Sequence, residues 1–370
     1  MSTLQVNAIE NRQGERFDLG GGNKNLLING GMNVWQRGTS NTTFTGGGYK
    51  TVDRWKTELS SLGTWTQTQS TDVPSAQGFT YSLKMDCTTA DASPSAGDFL
   101  NIQQRIEGQN LQHILKGTSS AKKLTLSFWV KSNKTGTYNV QFQEDTNNRN
   151  VSASYTISSS LTWEKKTITF PADTTGTIDN DNTSGLNLIF WLGAGSSYTG
   201  SPLQDTWASS SGNSNDATGN VNLADSTSNE WYITGVQLEV GSQATPFEFE
   251  PYDKILTRCQ RYYIRYQGDA ADDRFIAMAL LNTTSEARVG ITFPTTMRDI
   301  PTVGENHLEI LRGGSSLTDV SYDALVDPAT NGCFLEVVAD SGTPFTVGQV
   351  AALRLDNATD AYLEVIAELW

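Results

Sequence analysis

At 370 residues the chain has room for about two or three domains, and 37% hydrophobic content with abundant Gly, Ser, Thr and Asn favours short strands and turns over helices. A net charge of −14 repels phosphate backbones and argues against a nucleic-acid partner, and no apolar run approaches the about 18 residues that a membrane span needs. Cys87, Cys259 and Cys333 are widely spaced with no CxxC pair, which argues for buried thiols over a disulfide framework or structural zinc.

Residues 1–24 read as a separate piece. Leu4 and Val6 alternate and Ile9 follows, giving one short strand with a small apolar side. Asn11 to Gly14 is a turn, and Gly20 to Gly22 is a hinge. A lone strand cannot bury its apolar side alone, so it either pads a neighbouring sheet as an edge or pairs with another subunit.

From Leu26 the pattern is strand after strand. Leu26 to Gln36, Val52 to Glu58, Thr64 to Thr68, Phe79 to Cys87 and Phe99 to Ile106 alternate or carry β-branched and aromatic residues. The strongest is Leu124 to Val130, where Leu124, Leu126, Phe128 and Val130 share one face. Thr137 to Gln143, Ser152 to Ile157, Lys166 to Phe170, Leu186 to Leu192 and Trp231 to Val240 continue the series, and only Asn110 to Lys116 looks helical. This density predicts a jelly-roll-like β-sandwich over 25–253. The pattern lapses between Gly193 and Glu230, a polar stretch interrupted by Tyr198, Leu203 and Trp207, which predicts an exposed lobe. Residues 254–266 read as a connector, a short helix or extended, with Ile255, Cys259, Tyr262 and Tyr263 facing inward. A second, smaller β-sandwich is expected over 267–370, with strands at Arg274 to Leu281, Ala287 to Phe293, His307 to Leu311, Cys333 to Val338, Val350 to Leu355 and Tyr362 to Leu369. The fold class is therefore all-β.

Three blocks carry a resemblance. They are Asn25-Leu-Leu-Ile-Asn-Gly-Gly-Met-Asn-Val-Trp-Gln-Arg-Gly38, then Asp53-Arg-Trp55, then Gly235-Val-Gln-Leu-Glu-Val-Gly-Ser-Gln-Ala-Thr-Pro-Phe-Glu-Phe-Glu-Pro-Tyr-Asp253 running on to Arg258-Cys-Gln-Arg-Tyr-Tyr263. In order and spacing they resemble the β-sandwich module of bacteriophage tail fibres and related virion fibre proteins. The resemblance implies that the first and last blocks are strands side by side in one sheet. It implies a structural virion protein mediating host attachment, assembled as a homotrimer. On this reading the N-terminal strand, through Leu4, Val6 and Ile9, is a virion anchor that pairs with other tail or neck subunits. The C-terminal domain is then the distal receptor-binding candidate, and the terminal Trp370 is placed at the oligomer interface. Met1 to Gly14 has no signal-peptide core, so the protein is expected to be made in the host cytoplasm and to reside in the virion. The partner is a host surface glycan or outer-membrane receptor. Two rivals stand beside this reading: a polysaccharide-degrading tail spike, and a fibre or decoration protein fixed to head or neck.

Chemistry-bearing patterns are sparse. His113 and His307 lie in different domains, which argues against a His-centred triad or multi-His metal site. Asp179-Asn-Asp-Asn182 lacks EF-hand spacing and reads as a solvated turn, so no metal and no cofactor is expected. Carboxylates are plentiful enough for a glycosidase pair, yet the coil repeats of a β-helical spike are missing, so no catalytic residue is assigned. Trp35, Trp55, Trp129 and Trp231 sit in apparent strands and read as core. Trp207 stands in a polar loop, where it either pins that loop to the sandwich or, with Tyr198, contacts glycan.

Overall fold

The computed structural model of the protein describes residues 24–210, 215–268, 274–313, 316–356 and 358–369, together with the backbone of 9–10 and 16–17. The chain divides into two compact units, Met1–Tyr252 and Asp253–Trp370, and nearly all regular structure is β.

In the first unit, β1 (Ile9–Glu10) and β2 (Arg16–Phe17) form an antiparallel ribbon in which Ile9 is opposite Phe17. Leu4, Val6 and the Gly20 to Gly22 hinge lie outside the described residues. The sandwich strands are β3 (Ser40–Phe44), β4 (Gly48–Tyr49), β5 (Lys56–Ser60), β6 (Thr64–Ser70), β7 (Ser82–Thr89), β8 (Phe99–Glu107), β9 (Leu124–Ser132) and β10 (Gly136–Glu144). They continue with β11 (Arg149–Ile157), β12 (Glu164–Phe170), β13 (Ser184–Ala194), the single turn α1 (Ser196–Thr199), β14 (Ala208–Ser209) and β15 (Glu230–Val240). One sheet runs β14-β11-β10-β13-β8-β5-β4 and the other β12-β9-β15-β7-β6-β3. Alternation sets which residues meet between them: Leu124, Leu126, Phe128 and Val130 of β9 all point inward and are buried. There Phe128 packs edge-on against Phe190 of β13 at 5.1 Å and Tyr155 of β11 at 5.0 Å.

The Asn25 to Gly38 block differs from the expected strand. It lies beside β15 but is irregular, because two asparagine side chains replace ladder bonds. Asn25 donates from Nδ2 to Val236 O at 3.0 Å and accepts from Leu238 N at 3.0 Å, while Leu26 N donates to Leu238 O at 3.0 Å. Asn29, at φ 58°, accepts from Asn33 N and Val34 N and donates to Val34 O and Asp53 O. Its own carbonyl receives Trp55 Nε1 at 3.2 Å. A Cβ on Gly30 would lie 2.0 Å from Val236 O, so only glycine permits this approach. The quoted motifs are thus the fastenings of the sandwich.

The second unit opens with α2 (Tyr252–Gln260), which begins on the last residue of the first, and β16 (Tyr263–Gln267). Ile255, Cys259, Tyr262 and Tyr263 are buried as their spacing predicts. β17 (Arg274–Leu281), β18 (Glu286–Thr292), β19 (Thr302–Asn306), β20 (Leu308–Arg312), β21 (Ser316–Ala329), β22 (Gly332–Ala339), β23 (Val350–Leu355) and β24 (Tyr362–Ile366) complete it. β16, β24 and β19 form a three-stranded sheet, so the stretch expected as a connector contributes a strand to this unit. The expected second sandwich is instead a closed barrel, β17-β18-β22-β21-β20-β23. Small inward residues, Ala279, Ala287 and Ala351, let six strands close around Val289, Ile310, Leu335 and Leu353, and closure leaves no edge exposed. Trp370 lies outside the described residues. The three cysteines are buried and none forms a disulfide; burial pushes the Cys87 and Cys333 thiols up to about 11.

Candidate functional site

The two residues singled out for glycan contact are both committed to the loop that carries them. Trp207 packs against the sandwich core, donates Nε1 to Pro171 O at 2.9 Å, and lies under the Lys116 ammonium at 4.7 Å. That lysine belongs to an enclosed ion cluster: Asp173 accepts from Arg149 Nε at 2.8 Å and Lys116 at 2.9 Å, and Arg149 also donates to Trp207 O at 3.1 Å. Burial raises the Asp173 carboxyl, but the two cations outweigh it and hold it at about 2. Tyr198, in α1, packs edge-on against Phe99 at 5.2 Å and at a tilt against Trp191 at 5.3 Å on the outer face of the seven-stranded sheet. The expected lobe is therefore a cover. Asn139 of β10 donates to Thr218 O at 2.9 Å, and Asn150 of β11 donates to the buried Asp216.

The outer face of the six-stranded sheet is arranged differently. Because Phe128 and Val130 point inward, Trp129 between them points out, contrary to the core role expected of it. Its cross-strand neighbour on β12 is Lys165. Next to it β15 is irregular between Thr234 and Gln237, and Gly235 sits at φ +63°. A Cβ there would lie 2.5 Å from the Phe79 ring, so glycine lets that ring lie down on the strand. Phe79, Phe247 and Phe249 form a mutual cluster with centroids 5.0 to 5.3 Å apart. Together with Trp129 they wall a groove of about 690 Å³ whose polar contributors include Gln77, Gln243 and Lys165.

The wall is held from beneath. Glu239 accepts from Thr245 N at 2.9 Å, Gln237 accepts from Glu248 N at 2.7 Å, and Glu248 accepts from Asn25 N at 3.0 Å. The carboxylates of the Gly235 to Glu250 block that make these bonds are thus occupied in positioning, and the groove lining contains no carboxylate. Farther along the same face the rings are already covered. Lys131 Nζ lies 4.1 Å above the Tyr232 ring and 5.6 Å from Trp163, while Trp163 Nε1 donates to Asp72 at 2.8 Å. Trp129 has no such cap among the described contacts.

No metal-binding cluster of three or more His, Cys, Asp or Glu side chains occurs among the described residues. In the 179–182 turn, Asp181 accepts from Thr183 N at 3.0 Å and Thr183 Oγ1 at 2.7 Å, a local turn contact.

No family model matches the chain, and no curated protein matches it. Among solved structures it is similar to the enzymatically active domain of tailspike protein 4 of Bacteriophage CBA120, at 14% identity and a TM-score of 0.31, over 59% of this chain and 21% of that one. The chain thus spans about a fifth of that tailspike chain's length. It is also similar to the family 11 carbohydrate-binding module of Clostridium thermocellum in complex with a mixed-linked tetrasaccharide, at 11% identity and TM-score 0.28, over 56% and 98% of the two chains. A third is the CBM22 tandem of Paenibacillus barcinonensis Xyn10C, at 9% identity and TM-score 0.28, over 93% and 96%. With likenesses this distant, the fold rests on the strand pairing itself.

Proposed function

We propose that the chain is a structural virion protein, a phage tail fibre that attaches to the host surface by binding glycan without cleaving it. The supporting observation is the open groove at Trp129, where four aromatic rings meet amides and an ammonium on a rigid sheet. Sugar rings present apolar CH faces that stack on aromatics, and their hydroxyls need fixed polar partners. A concave, mostly preformed site with both is the general form of a small-ligand pocket. Glycosidic hydrolysis by a carboxylate pair would need an acid and a base in the lining, and the lining offers none. A lining without such a pair supports the fibre reading over the tail-spike one at this site.

The homotrimer has its own support. On the barrel exterior Met278, Ala352, Leu311 and Leu317 fall in one register line across four strands, with Leu280 and Val350 paired alongside. Met278, Leu280, Leu317 and Val350 are exposed, and contiguous apolar surface of this kind marks association.

A printed array of bacterial capsular and O-antigen oligosaccharides tests the glycan reading. The full chain is expected to bind at least one, Trp129→Ala to weaken that binding about tenfold or more at unchanged melting temperature, and no reducing ends to be released. Absence of any ligand, or equal binding by the variant, would overturn it. Light scattering should return three times the 40.3 kDa chain mass.

A further inference from the structure

We propose that the groove at Trp129 is one half of a longer track, and that its ligand is an internal stretch of a linear polysaccharide. This rests on the glycan reading above and specifies its ligand. A second cavity of about 540 Å³ is lined by Trp35, Tyr81 and Tyr252 with the amides of Asn33, Gln36 and Gln69. The two cavities share a wall. Along 247–252, Phe247 and Phe249 face the first cavity, Glu250 and Tyr252 the second. Along the facing stretch, Gln77 and Phe79 line the first, Thr80 and Tyr81 the second. They therefore lie on either side of one ridge, whose upper side chains are Phe249 at 56% and Tyr252 at 58% exposure.

Each cavity repeats the same combination of ring faces and amides, which is what successive sugars of one chain require. A terminal sugar would occupy one cavity and leave the other, with its rings, without use. In the second cavity the Trp35 ring is set in place by Nε1 donating to Met32 O at 2.6 Å, and the backbone that carries Tyr81 is held by Thr234 Oγ1 donating to the Tyr81 carbonyl at 2.8 Å. Rings set in advance lose little freedom on binding, so contacts made in both cavities add to affinity instead of being spent on ordering. Phe249 offers a ring face where the chain would cross from one cavity to the other.

The test uses the full chain and a printed length series of capsular and O-antigen oligosaccharides, from about two to about ten sugars. Once a chain spans the ridge its second half binds at high effective concentration. Affinity should rise about tenfold or more with length and then level off. Tyr252→Ala should weaken the long members about tenfold or more and the short ones much less. Trp129→Ala should weaken all lengths. Affinity independent of length, or a Tyr252→Ala effect equal on short and long members, would overturn the track while the glycan reading stood. If no member bound the wild-type chain, the glycan reading itself would fall.

Discussion

The two outer faces of the first sandwich are built from the same kind of strand and end in opposite states. On the seven-stranded sheet, Trp191 and Phe99 are covered by the Tyr198 ring, Trp191 Nε1 donates to Gln141 within the sheet at 3.1 Å, and Asn139 N donates to Asn220 of the loop at 2.7 Å. On the six-stranded sheet, Trp129 keeps an open face, and a short wall from 243–249 stands beside it instead of over it. The difference teaches that an aromatic on a sheet exterior signals a ligand only when the chain supplies no cover. A polar loop can serve as that cover, because its backbone groups bond to a face of amides.

The largest effect is expected on the covered side. Trp207→Ala removes a ring packed on the core, its bond to Pro171 O and its contact with Lys116, and leaves a buried ion cluster open to water. Denaturant unfolding should show a loss of about 2–4 kcal/mol, with glycan binding by the folded fraction intact. Loss of binding at unchanged stability would return Trp207 to the ligand site. On the open side, Gly235→Ala must place a Cβ 2.5 Å from the Phe79 ring at a backbone angle that disfavours it. A loss of about 1–3 kcal/mol is expected. Here the groove is lost with it, so binding should fall more than stability alone explains. Normal binding by this variant would mean that Phe79 is no part of the wall.

Much of this was legible in the sequence, though unevenly. The inward row at Leu124 to Val130 already placed Trp129 outside, and treating every strand Trp as core obscured that. The groove itself was not legible. Its walls join Phe79 to Phe249, distant in sequence, and its floor depends on an irregularity at Gly235 that no alternation reveals. Likewise β21 escaped notice because register shifts at Tyr322/Ala324 and Val326/Ala329 break its period. The Asn25 to Gly38 block misled in the other direction: its apolar residues read as a strand, while Asn25 and Asn29 make bonds that a strand backbone would make. Barrel closure in the second unit follows from pairing between β17 and β23, which local patterning does not encode.

The smallest expected effect sharpens the comparison by titration. Asp216, in the covering loop, is 4% exposed, and burial pushes its carboxyl up to about 6 against hydrogen bonds from Asn150 and Gln141. An ordinary aspartate titrates near 3.9, so between about pH 4 and 6 the folded chain holds a proton there that the unfolded chain has released. Stability from this residue therefore falls as pH rises through that window and is flat above it. Asp173 has the opposite sign. Its carboxyl is held at about 2, so its contribution is present above about pH 4 and is lost as pH drops toward 2. Asp216→Asn keeps an acceptor for Asn150 and removes the charge. It should raise stability at pH 8 by about 1–2 kcal/mol and by little at pH 4, flattening the slope between them. The groove lies on the other face and contains no carboxylate, so glycan affinity should be the same in this variant at both pH values. A pH slope unchanged by the substitution would mean that Asp216 titrates in solvent, and that the cover is looser than its hydrogen bonds to the sheet imply.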